Sequence, residues 1–386
     1  MHLTREEELI YIGEDGETLR RAMEILVALG DIYGAEKLIP IVSAQIAGVS
    51  YRTIGDAGLE WLSDLDAKVK VPSVLNPAGM DLQTWKLMGI DDSFAKGQLA
   101  IIEAYRSLGV TLDCTCTPYQ IYPDIAKRGD HLAWSESSAV VFANSVIGAR
   151  TNREGGPSAL ASAFVGKTPL YGYHLDENRN PTHHVLVESR LKGADYGALG
   201  FLIGEIVGDG VPAISLEGTP DRDELKALGA AMAARGAVAL FYVDDQIPAA
   251  HDLVDEITIG AAEIRDLYEE HRPGDDVDVV AVGCPHCSRY ELSRLADQLT
   301  GKRVRRELLI CTARRIRDAC PLIVAKIEKS GARVICDTCM VVSPASGQYK
   351  RMLVNSGKAL TYIPGLCGIK AAFGSTEMCI QAATAP

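Results

Sequence analysis

The sequence predicts an α/β protein of more than one lobe, built on largely parallel sheets. Three observations carry this reading. The chain has 386 residues, beyond the roughly 100–200 of a usual single domain. Its hydrophobic content of 47% is ample for a large buried core. Short β-branched apolar runs alternate with stretches of helical periodicity, the order that produces parallel sheets covered by helices. No fixed-period repeat or low-complexity segment interrupts the alternation, so solenoids and disordered tails are not expected.

Thr4 followed by Glu7 is a capping-box start. Residues 17–29 carry apolar side chains at helical spacing, with Gly30 where a C-cap is expected. The chain thus opens with two helices. Residues 37–46 are short, apolar and β-branched and run up to Gly48, after which Ser50 can cap a helix. The apolar run Val211-Pro212-Ala213-Ile214-Ser215-Leu216 leads to a helix over 221–235 and a strand over 237–243. A charged stretch then breaks at Pro273-Gly274 before a buried strand over 277–282. This divides the chain into a unit over 1–273, carrying the substrate motifs described below, and a unit over 274–386. The second unit repeats the alternation, with helix 289–298, strand 307–310, helix 313–329 and strand 332–335, a doubly wound pattern.

Acidic residues outnumber basic ones, 51 to 39, for a net charge of −12 without any block of like charges. That balance argues against nucleic acid or anionic lipid as the main partner. No apolar run of about 18 residues occurs, and nothing at the N-terminus resembles an export signal, so the chain reads as cytoplasmic, with no membrane partner. Cytosolic thiols are held reduced, so the ten cysteines read as buried thiols, metal ligands or both.

Four cysteine-bearing turns stand out: Cys114-Thr115-Cys116-Thr117-Pro118-Tyr119, Cys284-Pro285-His286-Cys287, Cys336-Asp337-Thr338-Cys339, and Cys367. Three directly follow a predicted strand. Ligands of α/β proteins bind beyond the carboxyl ends of strands, so these turns can converge. The pairs Cys284/Cys287 and Cys336/Cys339 would also suit structural zinc, although about 15–20 residues usually separate such pairs and here the gap is far longer. Cys284/Cys287 could equally be a redox pair. An iron–sulfur cluster is favoured, because thiolates are its usual ligands and can come from distant loops. Held by three thiolates, it keeps one iron open as a Lewis acid that helps a substrate hydroxyl leave as water. For any single cysteine the ordinary reading is a small buried hydrophobe.

From Gly129 to Pro157 the chain is dense in small and polar groups. This stretch offers Glu136, the hydroxyls of Ser135, Ser137 and Ser138, the amide of Asn144, and the guanidinium groups of Arg150 and Arg153. Such groups suit a carboxylated or phosphorylated substrate.

Together with Ala47-Gly48-Val49-Ser50-Tyr51, Asn76-Pro77-Ala78-Gly79-Met80-Asp81, Gly283-Cys284-Pro285-His286, Asp337-Thr338-Cys339-Met340 and Asn355-Ser356-Gly357-Lys358, this stretch resembles the aconitase X family. The resemblance implies an aconitase-like multi-lobed α/β core, an iron–sulfur cluster, 4Fe-4S by preference, and dehydration of a hydroxylated carboxylate. Carried over position by position, it puts the cluster ligands on Cys116, Cys284 and Cys339, with Cys287 the competitor in the Cys284 turn. It puts substrate contacts on Gly48, Val49, Ser50, Asn76, Pro77, Glu136, Ser137, Ser356, Gly357 and Lys358, and catalysis on Glu136 and Ser137. Gly48-Val49-Ser50, at a strand-to-helix turn, would offer backbone N–H groups and a helix dipole to an anion. Asn355-Ser356-Gly357-Lys358 would offer a second anion cradle. The ordinary alternatives are a solvated Lys358 and an exposed structural Glu136.

The family occurs as one long chain or as two subunits, the shorter being a swivel domain. A chain ending at Pro386 is expected to lack that domain and to form a heterodimer with a small swivel-domain subunit. The Cys114-Thr115-Cys116 and Cys284-Pro285-His286-Cys287 forms resemble the archaeal branch. That implies dehydration of a phosphorylated hydroxy acid, mevalonate 5-phosphate, to trans-anhydromevalonate 5-phosphate on the route to isoprenoids. The rival within the family dehydrates cis-3-hydroxy-L-proline. The rival of another class is a non-catalytic subunit with structural zinc, colourless and unfolded by chelator.

Overall fold

The computed structural model describes residues 1–247 and 255–385; Pro386, the last residue of the second expected unit, lies outside them. Three parallel sheets form the frame. The first runs Thr111–Cys114, Ser73–Leu75, Ser43–Ile46, Leu132–Trp134. The second runs Asp255–Gly260, His183–Glu188, Pro212–Ser215, Tyr242–Val243. The third runs Arg333–Cys336, Leu308–Thr312, Val279–Cys287, Arg351–Val354, Lys370–Phe373. One small antiparallel ladder pairs Leu38–Pro40 with Lys167–Pro169. Parallel strands need both faces covered, and one continuous apolar core, including Val185, Ile214, Val279 and Ala281, joins the second and third sheets. Among the described residues no helix is long and apolar enough to cross a membrane.

Strand order decides where ligands can bind. In the first sheet the order reverses between Ser43–Ile46 and Leu132–Trp134, and in the third between Val279–Cys287 and Arg351–Val354. Beyond the carboxyl ends at such a reversal the two outgoing chains diverge and leave a crevice. Gly48-Val49-Ser50 and Glu136-Ser137 leave the first reversal, while Cys284 and Ser356-Gly357-Lys358 mark the second.

Local signals placed most elements, with instructive departures. The expected Thr4–Glu7 capping box is formed, and a second box, Asp221 with Glu224, opens the helix Arg222–Arg235. The second helix runs Glu17–Ile32, through Gly30 rather than ending at it. Met1 packs there so closely that a Cβ on Gly30 would meet its Sδ at 2.4 Å, and the left-handed glycine is Gly34. Residues 37–46 form two strands in different sheets, Leu38–Pro40 and Ser43–Ile46, because Pro40 has no N–H to continue a ladder. The strand expected over 237–243 is only Tyr242–Val243; Ala237 is left-handed, and Phe241 N–H donates to Ser145 Oγ instead of a strand. The helix expected over 313–329 is two, Arg314–Ala319 and Pro321–Lys329, since proline interrupts a helix before it.

Candidate functional site

Cys116 lies just past Thr111–Cys114, Cys284 near the carboxyl end of Val279–Cys287, and Cys339 just past Arg333–Cys336. All three are buried. Burial pushes the Cys116 thiol up to about 12 and raises Cys284 and Cys339 as well, while the Lys358 ammonium pulls all three down and the Glu136 carboxylate acts against it. Three sulfurs, one cation and one carboxylate therefore share a neighbourhood. His286 N–H donates to Cys116 Sγ at 3.2 Å, and the N–H groups of Val341 and Val342 favour a negative Cys339 sulfur. Hydrogen bonds to the charged form are what a buried thiolate needs, and this donor set fits a thiolate-held cluster.

The other thiols face elsewhere. All ten cysteines are free. Cys284 belongs to the core shared by the second and third sheets, whereas Cys287 packs with Leu292, Leu295 and Leu308 in a different core. Cys336 feels Asp337, Arg314 and Asp81. The two C-x-x-C pairs thus do not turn four sulfurs toward one point. Among the described residues no three His, Cys, Asp or Glu side chains close around a single-ion position; a multi-iron cluster needs its ligands spread wider than one ion does. Cys311 and Cys367 also lie within electrostatic reach of Cys339, but Cys367 Sγ is spent on the carbonyls of Met340 and Val341 at 3.4 Å.

Glu136 immediately precedes the helix Ser137–Phe142 without capping it by its side chain, and Lys358 lies in the helix Gly357–Tyr362. Lys358 Nζ donates to Glu136 Oε1 and, at 3.1 Å, to Ser138 Oγ, while Asn76 Nδ2 donates to Glu136 Oε2 at 3.0 Å. The side chains are 7% and 16% exposed, so neither is the solvated surface group that its residue type ordinarily is. Burial opposes both charges, but each stabilises the other: Glu136 stays below its ordinary 4.5 and Lys358 well above its ordinary 10.5. Glu136 is therefore ionised at neutral pH.

Gln98 joins the two remaining turns. Its Nε2 donates to Val49 O at 2.8 Å, and its Oε1 accepts from Gly79 N–H at 2.9 Å and Tyr51 N–H at 3.1 Å. Among the described residues neither Ser50 Oγ nor Asn76 Oδ1, both buried, has a hydrogen-bond partner. Such an atom costs about 1–3 kcal/mol, and one in each of two turns that leave neighbouring strands of the first sheet suits a place kept for a ligand. Ser50 does not cap the helix Tyr51–Ser63, and that helix is broken at Gly55, so the dipole behind Ser50 is shorter than expected. Val49, Pro77 and Ser137 are buried beside these turns.

Ser356 Oγ caps the helix Gly357–Tyr362 by accepting from Ala359 N–H at 3.1 Å. Gly357 lets that helix touch Asp195–Val207: a Cβ would lie 2.3 Å from Gly197 O. Gly357→Ala is expected to lower stability by about 1–3 kcal/mol through overpacking, read as a shifted urea midpoint with unchanged slope.

Other residues of the polar stretch hold the frame. Asn144 bonds Thr151 and Ala239, and Arg150 pairs with Asp176. Arg153 remains exposed and donates to Tyr362 Oη at 3.4 Å. Three contributors were not singled out by sequence: Gln98, His286, and Arg314, which pairs with Asp81 and Asp337 at 2.7 and 2.9 Å. Through that pairing, with Ala78 N–H on Asp337 O at 2.7 Å, the 76–81 turn is fastened to the Cys339 turn. A cavity of about 370 Å³ also reaches Cys284 and Ser356, but in its walls Asp195, Asp221, Asp223, Glu224, Glu291 and Glu377 outnumber Lys192, Lys226 and Arg294, and none of Asn76, Glu136 or Lys358 is there. An acidic wall disfavours an anion, which leaves the Ser50, Asn76 and Lys358 side for one.

Family profiles described as the aconitase X first, second and third domains match residues 1–177, 181–269 and 277–385. The phosphomevalonate dehydratase large subunit of Methanosarcina mazei is 55% identical over 389 residues, covering 100% of this chain and 97% of that one. Its counterpart in Methanothermobacter thermautotrophicus is 52% identical, covering 97% and 96%. The cis-3-hydroxy-L-proline dehydratase of Pseudomonas aeruginosa is 34% identical over 98% of this chain but 69% of its own length. The crystal structure of holo-form aconitase X from Thermococcus kodakaraensis superposes with a TM-score of 0.92 at 45% identity, covering 99% of this chain and 100% of that one.

Proposed function

The chain belongs to the aconitase X family, and on that premise we propose that it is the large subunit of a phosphomevalonate dehydratase. The enzyme is a hydro-lyase that converts (R)-5-phosphomevalonate to trans-anhydromevalonate 5-phosphate and water. The observation that carries this reading is the gathering of Cys116, Cys284 and Cys339 with the buried Glu136–Lys358 pair. Identities of 46–55% to four relatives of that name, over nearly their whole length, favour it over the hydroxyproline reaction, whose two named enzymes are 32–34% identical.

Cys116, Cys284 and Cys339 would hold a 4Fe-4S cluster. When bound, a cluster held by three thiolates supplies an open iron as a Lewis acid for the departing hydroxyl. The chain's own groups do the rest. Ser50 and the backbone of Gly48 and Val49 receive an anionic end of the substrate, with Asn76 and Pro77 bounding the pocket. Asn76 Oδ1 accepts from the substrate hydroxyl. Lys358, at the helix start formed by Ser356 and Gly357, supplies the charge that a carboxylate or phosphate needs. Glu136 enters ionised, as an acceptor rather than an acid, and with Ser137 it meets the reacting atoms. A base takes the C2 proton, the C2–H electron pair becomes the C2–C3 double bond as the C3–O bond breaks, and the departing hydroxide takes up one proton to leave as water, so the proton lost at C2 balances the one gained by oxygen.

The relatives are named as large subunits, which implies a small-subunit partner. In this reading it is a swivel domain that closes over the crevice, and the heterodimer works in the cytoplasm. The test is the anaerobic visible and EPR spectrum of the purified chain, with and without its small subunit, before and after mevalonate 5-phosphate. A brown protein whose signal changes with that ligand, and which forms the dehydrated product when paired, is the expected result. A colourless, zinc-loaded chain after anaerobic reconstitution would overturn it. Turnover of cis-3-hydroxy-L-proline alone would replace the substrate and keep the chemistry.

A further inference from the structure

His286 is fully buried and every one of its polar groups is engaged. Its backbone N–H donates to Cys116 Sγ at 3.2 Å, and its carbonyl accepts from the buried Lys226 Nζ at 3.3 Å. Its ring Nδ1 lies 3.0 Å from Thr115 Oγ1, and its Nε2 lies 2.9 Å from Thr338 O. Thr115 adjoins Cys116, Thr338 adjoins Cys339, and His286 itself lies two residues from Cys284. One side chain thus touches the other two cysteine turns from within the third.

The hydrogen-bond roles follow from chemistry. A carbonyl oxygen only accepts, so Nε2 must carry the proton toward Thr338 O. The neutral ring then presents Nδ1 as an acceptor, and Thr115 must donate its hydroxyl to it. Thr115 Oγ1 in turn accepts from Thr117 N–H at 3.1 Å. The chain of donors runs one way, from Thr117 through Thr115 and His286 to Thr338, and fixes a single tautomer. These contacts link the first sheet, which carries the Cys116 turn, to the third, which carries the other two. No other side chain named above makes that connection among all three.

We propose that His286 is a positioning residue that sets the spacing of the Cys116, Cys284 and Cys339 turns before any iron arrives, so that the three sulfurs meet a cluster without rearranging. The proposal rests on the reading that these three cysteines hold the cluster. It predicts a kinetic effect on the bound cluster, because partners one step removed from a metal ligand typically change affinity or activity by about 10–100-fold.

The experiment compares anaerobically reconstituted wild type, His286→Leu, Thr115→Val and Thr115→Ser. The readouts are iron per chain, the EPR line shape, and the half-life of visible absorbance under an iron chelator. A thermal melt of each chain without iron checks folding. Thr115→Val keeps the side-chain volume and removes the donor to Nδ1 together with the acceptor of Thr117 N–H, while leaving the His286 ring in place, so it decides the matter if His286→Leu fails to fold. The expected result is a half-life shortened about tenfold or more and an altered line shape in both the leucine and the valine variants, with Thr115→Ser restoring both. A folded His286→Leu or Thr115→Val chain that keeps wild-type half-life and line shape would overturn the proposal. A wild type that never takes up iron would instead overturn the cluster assignment itself.

Discussion

Cys284→Ser is expected to leave the anaerobically reconstituted chain without its chromophore and to lower turnover by more than about 100-fold, beyond what loss of an outer partner costs. Cys287→Ser is expected to keep both. The two sulfurs belong to one turn but to different surroundings. Cys284 lies within reach of Cys116, Cys339, Glu136 and Lys358. Cys287 also lies within reach of Cys116, but it faces Glu291 and Lys226 more strongly and packs against Leu292 and Leu295. The serine at 287 replaces a buried thiol with a more polar hydroxyl beside Leu292 and Leu295 and should lower stability by up to about 1–3 kcal/mol, a loss visible in a thermal melt. Iron per chain and the visible spectrum decide between the two sulfurs. A colourless Cys287→Ser beside a brown Cys284→Ser would move the ligand to Cys287.

Lys358→Met is expected to destabilise the chain by about 3–5 kcal/mol, since removing one partner leaves a buried charge uncompensated. The loss would show as a lowered urea midpoint. Glu136→Gln should act in the same direction. The double variant should recover most of the stability, because taking away both partners removes the demand that each satisfies, yet it should remain inactive. Stability recovered without activity would separate the pair's structural role from its chemical one. Additive losses would mean that the two groups act independently, against the contact between them.

The pair also has a pH signature. Glu136 is held below its ordinary 4.5, so its contribution is present above that value and is lost as pH falls through the lower folded-state value. Lys358 is held above its ordinary 10.5, so its contribution is present below that value and is lost as pH rises through the higher folded-state value. The stability difference between wild type and the double variant should therefore be flat from about pH 5 to 10. A slope through neutral pH would show that one of the two is not charged there.

Signals confined to a few neighbouring residues were legible in the sequence. Thr4 with Glu7 and Asp221 with Glu224 form their capping boxes because both partners lie within one helical turn. The alternation of apolar runs produced parallel sheets because each run supplies its own strand or helix face. The break at Pro321 was equally local and was passed over. Gly30 misled because its use is contact with Met1, not a turn. The motifs singled out turns that the structure brings close together, but a turn contains several candidates. Spacing alone could not separate Cys284 from Cys287, because the ladder is irregular between Val282 and Cys287; the core into which each sulfur packs separates them.

The sequence by itself determined the α/β class and the turns on which cysteines and small polar residues gather, because those depend on local spacing and residue type. The tertiary structure decided which groups meet. Lys358 reads as a surface lysine until Glu136, from another sheet, makes its burial tolerable. His286 reads as a spacer between two cysteines until Thr115 and Thr338 close on its ring, and Gln98 carries no signal at all until two distant turns share its amide. Each of these depends on contacts between segments far apart in the chain, which strand order within the first sheet brings together for Gln98 and the meeting of two sheets does for Lys358 and His286.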